Sequence, residues 1–223
     1  MTKNTKNFLF LFAIILNLIS CSALDTNRIA PGYVETFKAI NNILFGFPEE
    51  KINADIINQI PYASILLRIG NGPEGLMILE SIENEKHIWV SADGVFIATN
   101  KGRIVGTKGL GNNLQKVLHE IDFKASLDIK NRTNSKAYYS YENPNLINLE
   151  LETSYTVSGI EEVLILDKTR KLTRLDEVIE NRYLGWKATN KYWIDKTGYV
   201  WKSEQYISPK VPKLVIKVTK KPS

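Results

Sequence analysis

The chain has 223 residues, with 29 Lys and Arg against 24 Asp and Glu, a formal charge of +5. Its basic residues are scattered, with a cluster only at Lys210, Lys213, Lys217, Lys220 and Lys221, so the coherent patch of a nucleic-acid binder is missing and nucleic acid is not an expected partner. A single cysteine, Cys21, excludes an intramolecular disulfide scaffold.

At the N-terminus, Lys3 and Lys6 precede an apolar run from Phe8 to Ile19 broken only by Asn17. That run of 12 residues falls short of the roughly 20 that span a bilayer and matches the apolar region of an export signal. Residues 1–20 are therefore expected to be removed. Leu18-Ile19-Ser20-Cys21 resembles a bacterial lipobox, with Cys21 the lipidated first residue of the mature chain. Several acyl chains hold a protein on a membrane stably where one does not. Cleavage would remove Lys3 and Lys6, leaving 203 residues near +3, enough for one domain with its own core. Residues 21–31 read as a lipidated tether, polar from Ser22 to Pro31, and residues 32–223 as one β-rich domain.

From Tyr33 to Phe47 the apolar positions Val34, Phe37, Ile40, Leu44 and Phe47 recur at helical spacing, and Gly46 and Pro48 stop the helix. A second short helix is expected from Asn53, a suitable N-cap, to Gln59. Beyond Pro61 the period becomes two. Ile65, Leu67 and Ile69 alternate with Ser64, Leu66 and Arg68, and Gly70-Asn71-Gly72-Pro73 turns the chain into a strand from Leu76 to Ile82. Strands follow at His87 to Ser91, Val95 to Thr99 and Arg103 to Val105, with turns at Asp93-Gly94 and Asn100-Lys101-Gly102. Within Gly106 to Lys124, the stretch Leu114 to Leu118 reads as a single helical turn.

In the second half Leu149, Leu151, Tyr155 and Val157 face one way and Glu150, Glu152, Ser154 and Thr156 the other, the pattern of a strand dry on one face. Further strands are expected at Val163 to Leu166, Leu172 to Ile179, Lys191 to Ile194, Tyr199 to Ile207 and Lys213 to Val218. At least nine strands joined by short turns predict a mainly β fold, an antiparallel meander forming an open half-barrel or sandwich, with one or two short N-terminal helices.

Motifs for chemistry are sparse. His119-Glu120-Ile121-Asp122 lacks the second histidine of a zinc-protease helix, no G-x-S-x-G elbow exists, and Gly106 to Gly111 matches neither nucleotide-binding glycine pattern, so no metal, cofactor or catalytic residue is expected. Glu161-Glu162 and Asp176-Glu177 are adjacent on strands and point to opposite faces, so they read as solvated charge rather than catalytic dyads. The aromatics, including Trp89, Trp186, Trp193 and Trp201, read chiefly as core or belt positions of a β domain. Arg68 stands out as a charge inside an apolar strand, either on the wet face or buried and paired.

Taken in order, the lipobox, Ile60-Pro61-Tyr62-Ala63-Ser64 running into Leu67-Arg68-Ile69, Trp89, Asn100-Lys101-Gly102-Arg103-Ile104 and Leu110-Gly111-Asn112-Asn113-Leu114 form a pattern. It continues in Tyr155-Thr156-Val157-Ser158-Gly159, Tyr192-Trp193-Ile194-Asp195 with Gly198, and Val211-Pro212. The chain thus resembles, over nearly all its mature length, the GfcB/YjbF family of outer-membrane lipoproteins of group 4 capsule and exopolysaccharide production. The resemblance implies a β-rich half-barrel with small helices, no known catalysis, and a part in secreting or assembling surface polysaccharide. It supplies no established binding residues. The tether from Ser22 to Pro31 is slightly longer than the resemblance implies, a departure that bears only on the reach from the membrane.

The expected protein is a lipid-anchored, nonenzymatic accessory of capsule or exopolysaccharide export, held in the membrane by its lipid, with polysaccharide or other export-system proteins as partners. Ser22 rather than Asp after Cys21 points to the outer membrane, facing the periplasm, by the enterobacterial sorting pattern. Arg68, Trp89 and Asn113 are the candidate binding residues, since planar hydrogen bonding and stacking suit sugars and these positions lie in the segments that carry the resemblance. Two alternatives stand beside this reading. A lipid or lipoprotein carrier would need a large apolar cavity in the half-barrel, and a polysaccharide-modifying enzyme would need converging polar residues in a cleft.

Overall fold

The computed structural model describes residues 52–119, Phe123 and residues 133–222. The export signal, Cys21, the tether and the helix expected at Tyr33 to Phe47 lie outside the described residues. The first element of the described residues is helix α1 (Ala54–Gln59), and Asn53 caps it as expected, its side chain accepting from the Ile56 amide at 3.0 Å.

Among the described residues twelve strands follow: β1 (Ser64–Ile69), β2 (Glu74–Glu83), β3 (Lys86–Ser91), β4 (Phe96–Asn100), β5 (Arg103–Lys108), β6 (Leu114–Leu118), β7 (Thr133–Tyr141), β8 (Leu146–Ile165), β9 (Lys168–Asn181), β10 (Trp186–Ile194), β11 (Val200–Gln205) and β12 (Leu214–Lys220). They form one antiparallel sheet in the order β5-β4-β3-β2-β1-β12-β11-β10-β9-β8-β7-β6. Two meanders are thus zipped together where the first strand pairs with the last, Leu67 opposite Ile216. The sheet curls until its edge strands meet: the Leu114 amide of β6 donates to Thr107 Oγ1 of β5 at 2.9 Å. The mainly β, antiparallel reading therefore holds, and the half-barrel is nearly closed, which leaves little open edge to aggregate.

Three local expectations fail. Leu114 to Leu118 is strand β6 rather than a helical turn, because pairing with β7 (Lys116 opposite Ser140) overrides an apolar spacing that suits either state. Strand β7 was not expected at all. Val163 to Leu166 is not a separate strand but the continuation of β8. The register shift between Val157 and Gly159 is absorbed by Gly159 at φ +124, a conformation rarely open to other residues, so the strand bends without ending.

Alternation of side chains builds the lumen. Ile65, Leu67, Met77, Trp89, Ile97, Leu114, Leu151, Ile179, Leu214 and Ile216 point inward and form the main core. Leu66, Leu76, Ile78, Val90 and Val215, on the opposite face of β1, β2, β3 and β12, are buried as well, so this sector is apolar on both sides. Because successive strands run in opposite directions, the β2–β3, β4–β5, β8–β9 and β10–β11 turns share one end of the barrel with α1. The β1–β2, β3–β4, β5–β6, β7–β8, β9–β10 and β11–β12 turns share the other.

Candidate functional site

A polar belt crosses the apolar lumen, and Arg103 is its centre. The residue follows the β4–β5 turn as the first of β5, is 1% exposed, and has a wholly buried partner in Glu177 of β9. Arg103 Nη2 donates to Glu177 Oε1 at 2.6 Å and to Tyr155 Oη at 3.1 Å, while Nη1 donates to Tyr139 Oη at 3.3 Å. The Tyr155 hydroxyl also donates to Glu177 Oε1 at 2.6 Å. Glu177 Oε2 accepts from Asn190 Nδ2 at 2.9 Å and from the Tyr192 hydroxyl at 3.0 Å. Gln205 extends the belt to β5, accepting from the Ile104 amide at 2.9 Å and donating to the Gly102 carbonyl at 2.9 Å.

The electrostatics follow from burial opposed by partners. Burial by itself would raise the Glu177 carboxyl, but the Arg103 guanidinium and the hydroxyl and amide donors outweigh it and hold the carboxyl below its ordinary value. Burial works against the Arg103 charge too, and Glu177 together with the tyrosines holds it well above its ordinary value. Burial pushes Tyr139 up to about 12 and also raises Tyr155 and Tyr192. The belt therefore holds one cation, one anion and neutral phenols. Both oxygens of Glu177 are saturated by the donors above, which leaves no lone pair free to take a substrate proton. This arrangement locks strands of the two meanders together; it has no activated nucleophile.

Glu177 corrects the reading of Asp176-Glu177 as solvated charge. Adjacent residues do point to opposite faces, and for that reason one of the pair is driven into the lumen, where only a buried cation makes its charge tolerable. The other acidic pair fits the expectation better: Glu161 is partly exposed and bonded to Arg174, and Glu162 lies 3.7 Å from exposed Lys171. His119 flanks the belt. Its Nδ1–H donates to the Lys136 carbonyl at 3.1 Å, its Nε2 lies against the Tyr155 hydroxyl, and burial followed by the Arg103 charge lowers its pKa.

The three candidates from sequence do not converge. Trp89 lies in the lumen, its indole N–H donating to Thr99 Oγ1 at 2.9 Å. Arg68 is on the outer face of β1, half-buried, its Nε–H without a hydrogen-bond partner among the described residues. Asn113 sits in the β5–β6 turn at the far end, where its Oδ1 accepts from the Leu110 amide at 2.9 Å and its amide donates to Glu142. Trp193 and Trp201 likewise spend their indole N–H groups internally, on Glu161 at 2.7 Å and Asp195 at 2.8 Å.

Trp89 does border a cavity of about 650 Å³ at the α1 end of the barrel. Its wall includes Ile65, Ile216 and Val218 of the β1–β12 pair, Val200, and Phe123, whose ring lies 4.8 Å from that of Tyr192. Glu85, His87, Lys101, Tyr199 and Lys221 stand around its mouth. Sequence reasoning missed Arg103, Glu177 and this cavity; the one legible signal was that one of Asp176 and Glu177 had to face inward.

The family model described as group 4 capsule polysaccharide lipoprotein GfcB, YjbF matches residues 37–218. Two lipoproteins of Escherichia coli K12, both uncharacterized, are similar over most of their length. YjbF is 27% identical over 202 residues, 88% of this chain and 90% of its own, and GfcB is 25% identical over 199 residues, 87% and 91%. The crystal structure of the hypothetical lipoprotein YmcC from the same strain has the same fold, with a TM-score of 0.71 at 22% identity over 84% of this chain and 96% of that one.

Proposed function

Because the chain belongs to the group 4 capsule polysaccharide lipoprotein family, we propose that it is a lipid-anchored, nonenzymatic accessory of capsule or exopolysaccharide assembly and export, acylated on Cys21 and held at the outer membrane facing the periplasm. The observation that carries this reading is the family match from residue 37 to 218, which covers nearly the whole domain. The lumen supports its nonenzymatic part, since the buried carboxylate there is committed to Arg103 and neutral donors. The lipobox-like Leu18-Ile19-Ser20-Cys21 supports the anchor.

The test is deletion of the gene, with surface and secreted polysaccharide as the readout, complemented by wild-type chain or by Cys21→Ala. Loss of polysaccharide is expected, restored by wild type and not by Cys21→Ala, which should also lose metabolic lipid labelling. Unchanged polysaccharide would refute the accessory role. Labelling that survives Cys21→Ala would refute the anchor, and turnover of the polysaccharide by pure protein would refute the nonenzymatic part.

A further inference from the structure

The lumen cavity has two chemically distinct zones. Inside, Ile65, Trp89, Val200, Ile216 and Val218 present hydrocarbon and ring surface, and the polar groups among them are already engaged: Thr99 with Trp89, and Ser203 with Gln205 Nε2 at 2.8 Å. A sugar would bring several hydroxyls into this interior and find few free partners, and each unpaired hydroxyl is costly to bury. Hydrocarbon meets no such cost, and burial of apolar surface is favourable at roughly 25 cal/mol per Å². The volume of about 650 Å³ lies within the range of sites that enclose small ligands.

The mouth carries the opposite chemistry. Lys101, in the β4–β5 turn, and Lys221, just past β12, form no ion pair among the described residues, and Lys221 Nζ stands 4.2 Å from the Tyr199 ring centre. His87 has no hydrogen-bond partner there either, and burial lowers its pKa, so its ring is neutral and offers an N–H donor. Glu85 is the only acid among the described residues that line the cavity. A positively charged rim around an apolar interior is complementary to an amphiphile with one chain and an anionic head.

We propose that this cavity binds the acyl chain of a single-chain anionic lipid, such as a fatty acid, with its head at Lys101, Lys221 and His87. The chain enters between the β4–β5 and β10–β11 turns and lies along Trp89 and the β1–β12 pair, above the polar belt.

The test is a titration of the full chain carrying Cys21→Ala with the fluorescent fatty acid cis-parinarate, followed by competition. Saturable enhancement is expected, reversed by oleate and not by capsular oligosaccharide. Val218→Trp fills the cavity and should abolish the enhancement. If that variant fails to melt like its parent, the exposed pair Lys101→Glu with Lys221→Glu decides: parinarate should weaken by roughly tenfold, two exposed attractions having been made repulsive, while the matching fatty alcohol is unchanged. Absence of saturable enhancement, enhancement that survives in folded Val218→Trp, equal weakening of acid and alcohol, or displacement by oligosaccharide would each overturn the proposal.

Discussion

Glu177→Gln isolates the charge at the centre of the barrel without changing its shape. Four bonds now end on the two carboxylate oxygens, from Arg103, Tyr155, Asn190 and Tyr192. The amide would keep one acceptor and turn a donor toward two of these donors, and Arg103, 1% exposed, would keep an uncompensated charge. Breaking a buried ion pair by removing one partner costs about 3–5 kcal/mol, against a total stability of about 5–15 kcal/mol for a domain. At roughly 2–4 °C per kcal/mol for a domain of this size, the thermal midpoint should fall by about 6–20 °C. Arg103→Met combined with Glu177→Gln should be non-additive by about 0.5–3 kcal/mol in urea titrations. The pH dependence adds a second readout. The folded Glu177 carboxyl titrates below its unfolded value, so its contribution is complete above that value, about 4.3, and is lost as pH falls through the lower folded one. The acid limb of the stability curve should therefore be shallower in Glu177→Gln. A variant melting within about 2 °C of wild type, less than 1 kcal/mol, or strictly additive effects would refute the network as described.

Two further outcomes follow from the same geometry. Gly102→Ala places a Cβ 2.5 Å from Val200 Cβ at a backbone φ of +87, so it should cost more than about 1 kcal/mol in urea unfolding. Adding Val200→Ala removes the Cγ atoms at 2.7 and 3.0 Å but keeps the Cβ at 2.5 Å, so it should relieve the clash only in part and the backbone strain not at all. For His119, whose folded pKa is lowered first by burial and then by Arg103, the unfolded chain binds the proton more readily. Stability should then decline as pH drops from the ordinary histidine value of about 6.5 toward the lower folded value, and His119→Gln should flatten that decline in melts across the range.

The residues show why these features escaped a linear reading. Arg103 follows the turn Asn100-Lys101-Gly102 and looks like any charge at a strand start, while its partner lies 74 positions away. Strand β6 carries Leu114, Val117 and Leu118, a spacing compatible with one helical turn, and only the β7 backbone beside it selects the extended state. Asn113 and Trp89 both lie in segments that carry the family resemblance but at different depths of the barrel, since one occupies a turn and the other a lumen-facing strand position.

What the sequence determined by itself was local. The period-two alternation of Ile65, Leu67 and of Leu149, Leu151, Tyr155 dictates strands with one dry face, Asn53 caps its helix through its own side chain, and Gly94, Gly102 and Gly198 mark turns at positive φ. These effects act over a few residues and need no knowledge of the partner strand. The tertiary structure alone decided that β1 pairs β12, that β5 meets β6 across a seam, and that Arg103 and Glu177 share the lumen. The cavity near Trp89 was decided there too, because enclosed volume arises only when distant strands close around it. The physical reason is common to all of these. Charge compensation, ring closure and cavity shape depend on distances through space between segments remote in the chain, and side-chain periodicity along one strand carries no information about those distances.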